Sequence, residues 1–583
     1  MFFRIFLIHH FLLALVYESW QQERKPVVRI QQGYLEGLPV YTESSTIVNS
    51  FLGIPYAAPP VDNLRFAPPQ RHPGWNGTYR ATNFQPQCPQ LPLKSGITDV
   101  EDCLYLNIWA PLDLAAEGIV VVTVNYRLNA FGFFCLGTTH ARGNFGLLDQ
   151  YLALLWVKEN IKYFGGDPEK VTLFGYLSGA VSVALHVISP RTLRYFKNAI
   201  ISSGSVVTPW QINNDPIIAS KEIIRLVGCH AYTLDVLRCL RTKKAEEILK
   251  ALQEYSESNI WTDQFLPVVD NFLPENDRYL PIEPSEALKA GKFPQVPILT
   301  GVTRPITYPQ LAEWVELASQ GYSQLHQYME RAKIPGLIKS YRFNGATKDI
   351  ISDLIKWKYA SSSQGDVRLL FEQLKNLEFE AKLEAPHFLQ LSHLITFYVQ
   401  PIFVYYIDDL GISLNATDHL VTTDLLLLFG PALLKQVGRR RFSQNEILLS
   451  NQIKQMWKNF MVVGNPTSNN VKANSWRKYT AGDPYIEFFD TVNPNIISDQ
   501  NNKRNKRVTF WNQLVPKIAQ HTSTIAHNIP KELQNSPDPA AGFRHAMYTL
   551  VGLVIALMAL LVICIVLLKK RSKERERHIH LGY

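Results

Sequence analysis

The chain has 583 residues, 46% hydrophobic and 19% charged, which is ordinary for a folded globular protein with a large core. The net charge of +9 is small for this length, and nearly half of it sits in the last fifteen or so residues, so nothing marks a nucleic-acid-binding surface. Six cysteines without a C-x-x-C or clustered histidine pattern argue against a metal site, and no cofactor motif is present.

Residues 1–19 read as a secretory signal. Arg4 is the positive start, Ile5 to Val16 is an apolar stretch too short to span a bilayer, and cleavage is expected near Tyr17 to Trp20. Val27 to Phe66 alternates apolar runs with Gly and Pro turns, as short strands do. Asn76 opens one glycosylation sequon and Asn415 another. Cys88 and Cys103 lie close together in the chain, as do Cys229 and Cys239, and each pair could close a short loop in an oxidising compartment. Cys135 and Cys564 are left over.

Glu101 to Trp109 is followed by Ile119 to Arg127, a β-branched run expected to form a strand buried on both faces. Gly146 to Ile161 has helical spacing of Leu152, Leu155, Trp156 and Ile161. Val171 to Phe174 is a further buried strand. It leads into Gly175-Tyr176-Leu177-Ser178-Gly179 and a small-residue helix start, the outline of a nucleophile elbow, G-x-S-x-G, between a strand and a helix. The central position, where that motif holds its serine, is Leu177. Strands alternating with helices predict an α/β fold with a mostly parallel sheet.

With these residues in view, the chain resembles the type-B carboxylesterase and cholinesterase family on the α/β-hydrolase fold. The resemblance is carried by FLGIPYAAPP, EDCLYLNIWAP, VVVTVNYRL, GNFGLLDQYLALLWVKENIKYFGGDPEKVTLFG, VPILTGVT, VVGNPTS and FWNQLVP, and covers about Gly33 to Ile518. It implies disulfides Cys88–Cys103 and Cys229–Cys239. By register it places Ile306 where the family carries its acid and Val421 where it carries its base. His186 matches a structural histidine. The oxyanion-hole stretch belongs between the counterparts of Trp109 and Ile119, but only Ala110 to Gly118 stands there. Several dozen residues, including an interior strand of the sheet, are absent. Either the neighbouring strands close up, or the sequence is a shortened splice form or gene model; both junctions lie in family-like text, which favours the second.

Towards the C-terminus, Phe442-Ser443-Gln-Asn-Glu446-Ile447 forms a capping box. Leu449, Ile453, Met456, Trp457 and Phe460 then share one helix face. That face is either core or, as in similar proteins, part of a dimer surface. Residues 519–545 are polar and read as a stalk, and 546–568 as a transmembrane helix, with Thr549 to Leu568 about 30 Å long. The basic tail 569–583 is expected in the cytoplasm. The domain reading is therefore a signal, an esterase-like extracellular domain over 20–518, a stalk, one span and a tail, placed in the plasma membrane as a type I protein.

A serine hydrolase needs a nucleophile, a base, an acid and oxyanion donors together. Loss of the catalytic unit lowers turnover by about 10⁶, and loss of one oxyanion donor by roughly 10² to 10³. The sequence thus predicts a non-catalytic member resembling the cholinesterase-like adhesion molecules. For these the resemblance implies a homodimer and a surface ligand, neurexin in the neuroligins with calcium at the contact. The end Leu581-Gly582-Tyr583 could add to a PDZ sheet edge. The alternatives are a hydrolase using Ser178 as displaced nucleophile, and a module binding an apolar ligand beside Leu177 and Val421.

Overall fold

The structure, a computed structural model, describes residues 25–41, 47–91, 100–109, 118–208, 211–213, 215–229, 236–258, 265–291, 293, 295–305, 308, 310–407, 424–429, 442–467, 476–489, 504–528, 567–569 and 571. The chain divides into two compact units, Met1–Ala519 and Gln520–Tyr583; the description below concerns the first.

Among the described residues twelve strands form three sheets. They are β1 (Val27–Ile30), β2 (Gly33–Glu36), β3 (Leu38–Tyr41), β4 (Ile47–Pro55), β5 (Thr78–Arg80), β6 (Tyr105–Trp109), β7 (Val121–Val124), β8 (Thr172–Tyr176), β9 (Asn198–Ser202), β10 (Ile298–Thr303), β11 (Ile402–Ile407) and β12 (Glu487–Phe489). β1, β2 and β5 make a small sheet of their own. The large sheet of an α/β fold is present in two pieces. β3-β4-β6-β7 run antiparallel, and β8 to β12 run parallel in the order β12-β11-β10-β9-β8. No ladder joins β7 to β8.

The parallel piece is sandwiched between helices. Helix α1 spans Phe145–Asn160, α2 Ser178–Ile188, α3 Ala385–Leu394, α4 Gln444–Val463 and α5 Val515–Asn528. Because successive strand residues point to opposite faces, Ala199, Ile201, Ile298, Val302, Ile402 and Val404 pack with α2 on one side. Ile200, Leu299, Phe403, Tyr405 and Ile407 pack with α4 on the other. β9, β10 and β11 are buried along their whole length, as strands covered on both faces are.

One expectation is corrected here. Ile119 to Arg127 and Val171 to Phe174 are expected to be buried strands, yet most residues of Val121–Val124 and Thr172–Tyr176 are only half-buried and Thr123 is exposed; among the described residues each strand has a sheet neighbour on one edge alone. Of the two readings left open for the α4 stripe, core packing is the one the fold shows: Leu449, Ile453, Trp457 and Phe460 are buried against the sheet, and Met456 is half-buried beside them. The segment read as stalk begins as helix, since α5 continues past Ala519 to Asn528. The capping box at α4 forms as expected. Ser443 Oγ accepts from the Glu446 N–H at 3.3 Å and Glu446 Oε2 accepts from the Ser443 N–H at 2.6 Å; Gly464, at φ 73°, ends the helix.

The signal region, Asn415, most of the proposed span and most of the tail lie outside the described residues. Among the described residues no helix is long and apolar enough to cross a membrane.

Candidate functional site

The elbow forms. β8 ends at Tyr176, α2 begins at Ser178, and Leu177 alone turns the chain, at φ 51° and ψ −115°. A non-glycine residue there carries about 1–3 kcal/mol of backbone strain. Surrounding contacts hold it. The Leu177 N–H donates to the Ser202 carbonyl at 3.0 Å, and the Leu177 carbonyl accepts from the Val181 N–H at 3.0 Å. The turn is tight enough to dictate its neighbours. A Cβ on Gly175 would lie 2.1 Å from the Gly179 carbonyl oxygen, and one on Gly204 would lie 2.4 Å from the Leu177 carbonyl oxygen. Gly179, by contrast, faces open space. Of the two glycines singled out in the motif, only Gly175 is required by packing, and Gly204 is a third that the motif does not mark.

The apex presents an isobutyl group, half-buried. Ser178, one residue on, is exposed at the first turn of α2. Its hydroxyl shares a hydrogen bond with Tyr126, which Ser182 also reaches; burial raises the Tyr126 phenol and these two bonds oppose that rise. A phenol held protonated is no base for a serine. The histidine on the same helix, His186, is committed elsewhere. Its Nε2 pairs with Gln150 Oε1 at 2.8 Å and its Nδ1 with the Tyr279 hydroxyl at 2.5 Å. Burial pulls its pKa down to about 3. It is a neutral, satisfied core histidine.

Ile306 and Val421 lie outside the described residues, as does Ala110 to Glu117. What the structure does describe beside the elbow is a hydrogen-bonded group the sequence reading missed. Ser202 Oγ donates to Asp424 Oδ2 at 2.6 Å, and the Tyr405 hydroxyl reaches both Ser202 Oγ at 2.8 Å and Asp424 Oδ2 at 3.2 Å. All three are buried. The Asp424 carboxylate therefore ties the end of β9, at Ser202, to Tyr405 within β11. A buried hydroxyl on a carboxylate, without an imidazole between them, lacks the proton relay of a triad. The only signal for it in the sequence is an aspartate immediately before a run of four leucines, Leu425 to Leu428.

The disulfides implied by resemblance form, Cys88–Cys103 with Cα atoms 5.0 Å apart and Cys229–Cys239 with 5.9 Å. Cys135 is buried and unpaired, its thiol pushed up to about 11 by burial, which makes it unreactive. Asn76 is exposed, as a glycan acceptor must be. Among the described residues no group of three or more His, Cys, Asp or Glu could hold a metal ion.

A parallel sheet between helices, with a strained single-residue turn from a strand into a helix behind it, defines an α/β-hydrolase-like fold. The chain belongs to the carboxylesterase family, whose profile matches residues 24–115 and 112–511. Among its relatives are liver carboxylesterase 1F of Rattus norvegicus, 30% identical over 566 residues (84% of this chain, 94% of the relative), and pyrethroid hydrolase Ces2a of Mus musculus, 28% identical over 570 residues (87% and 95%). Neuroligin-3 of Mus musculus is 27% identical over 602 residues, covering 87% of this chain and 71% of the relative.

Proposed function

We propose that this protein is a non-catalytic carboxylesterase-fold molecule of the cell surface, acting in adhesion or ligand recognition. The observation that carries the reading is Leu177. The elbow retains its strained turn and its glycine packing, yet aims an alkyl side chain where a hydrolase aims its nucleophile. Strain kept without a nucleophile is what remains when the turn serves the fold alone. Ile306 and Val421, at the positions the resemblance gives to acid and base, agree with it. Similarity to neuroligin-3 supports the adhesion half of the reading, and the signal and apolar C-terminal run support a type I placement with the large domain outside. A homodimer and a neurexin-like protein ligand are the partners proposed.

Similarity to carboxylesterases at comparable identity favours a second reading, ester hydrolysis by Ser178. Its exposed hydroxyl is the supporting observation. The two part in one experiment. Cells displaying the full chain are mixed with cells displaying candidate surface ligands, and aggregation is scored for wild type and Ser178→Ala. The adhesion reading expects aggregation that Ser178→Ala leaves unchanged, with no hydrolysis of short acyl esters. Hydrolysis that Ser178→Ala abolishes would overturn it.

A further inference from the structure

The break between the two pieces of the large sheet is not empty of shape. A cavity of 610 Å³ lies in it. Its two side walls are β7, with Val121, Val122 and Val124, and β8, with Leu173 and Phe174; Leu154 and Val157 of α1 and Met461 and Val462 of α4 are also in the lining. Helices that cover a sheet thus cover a gap in the sheet.

The gap lies between two strand edges, β7 and β8, that no ladder joins among the described residues. β7 has 4 residues and β8 has 5. A small apolar ligand of that volume would fit, but it would leave two strand edges facing each other across it, and unpaired backbone edges are costly when covered.

The comparisons say where such a strand comes from. The family profile does not run through the chain in one piece. It stops at residue 115 and resumes at 112, in the connection between β6 and β7. The alignment to the rat carboxylesterase is 566 residues long but uses only 84% of this 583-residue chain, so the relative fills several dozen positions that this chain leaves blank.

We infer that the β7–β8 gap is the seat of one further strand, apolar on both faces, and that it is supplied in cis by a longer form of this polypeptide with additional sequence between Trp109 and Gly118. In that form the two sheet pieces become one continuous sheet, and β7 and β8 become interior strands, as their valine-rich and apolar sequences suit. The inference is independent of the non-catalytic reading, which rests on Leu177 in either form.

The test uses the native protein. Full-length transcripts from the source tissue are sequenced through the codons for Trp109 to Gly118, and the purified protein is reduced, digested with trypsin and mapped by mass spectrometry. Expected are transcripts with added codons at this junction and peptides that carry an added β-branched run. Overturning the inference would be recovery of Ser95–Arg127 as one unbroken tryptic peptide with no transcript carrying more. Expressed side by side, the longer form is expected to be secreted several-fold better than the 583-residue form. Equal secretion and equal resistance to proteolysis of the two would contradict it, as would a lipophile or a foreign peptide found filling the gap in a 583-residue form that has no longer counterpart.

Discussion

His387 offers a clean perturbation. It lies on α3, 1% exposed, and neither ring nitrogen has a hydrogen-bond partner among the described residues. Phe388 packs edge-on against it with ring centroids 5.1 Å apart. Burial, and secondarily the Arg504 charge, pull its pKa from 6.5 to about 4. The folded protein therefore resists the proton that the unfolded chain takes up below pH 6.5. Stability is intact above that pH and falls as pH drops from 6.5 towards 4, by about 2 kcal/mol at pH 5. His387→Leu removes the titrating ring and no hydrogen bond. At pH 7.5 the variant is expected to be more stable than wild type by about 1–3 kcal/mol, the penalty of a buried unpartnered polar group. At pH 5.0 the margin is expected to widen by about 2 kcal/mol. Urea unfolding of the purified protein at the two pH values reads both margins. His186, pulled down to about 3, titrates alike in both proteins and cancels. Midpoints that fall in parallel for wild type and variant between pH 7.5 and 5.0 would refute the reasoning.

Arg127 and Asp149 clamp the end of β7 to α1. The guanidinium and backbone N–H of Arg127 reach the carboxylate at 2.7, 2.8 and 3.0 Å, and both side chains are buried. Asp149→Ala leaves that cation unpaired and is expected to destabilise by about 3–5 kcal/mol in urea unfolding, with Asp149→Asn milder. Gly175→Ala drives a methyl group into the Gly179 carbonyl and is expected to destabilise by about 3 kcal/mol or more, read as a lowered urea midpoint; Gly179→Ala, whose Cβ meets open space, is expected to be tolerated there. Leu177→Ser restores the motif in sequence only and is expected to yield no ester hydrolysis above background, because the residue alone brings no base.

The fold was readable because its signals are local and repeated. Val171–Phe174 is an apolar run of strand length, and Ser443 with Glu446 caps α4 by direct hydrogen bonds. The elbow was readable from two glycines, although packing shows that Gly175 and Gly204 do the constraining. The Ser202–Asp424–Tyr405 group was not readable. Its members lie 222 and 203 residues apart from Ser202 and meet only when β9 and β11 are brought into one sheet. The half-exposure of β7 and β8 was hidden for a related reason. Composition reports how well a strand suits burial, not whether a neighbour is present on each edge. The α4 stripe could not be assigned to core or to a partner from periodicity, since both bury the same face.

The central claim is that the elbow at Leu177 is scaffold and not active site. The most direct test is labelling of the purified wild-type chain with a fluorophosphonate probe, alongside an active carboxylesterase as positive control. The account predicts no covalent adduct on any serine by intact mass and peptide mapping. Stoichiometric labelling, at Ser178 or elsewhere, would contradict it.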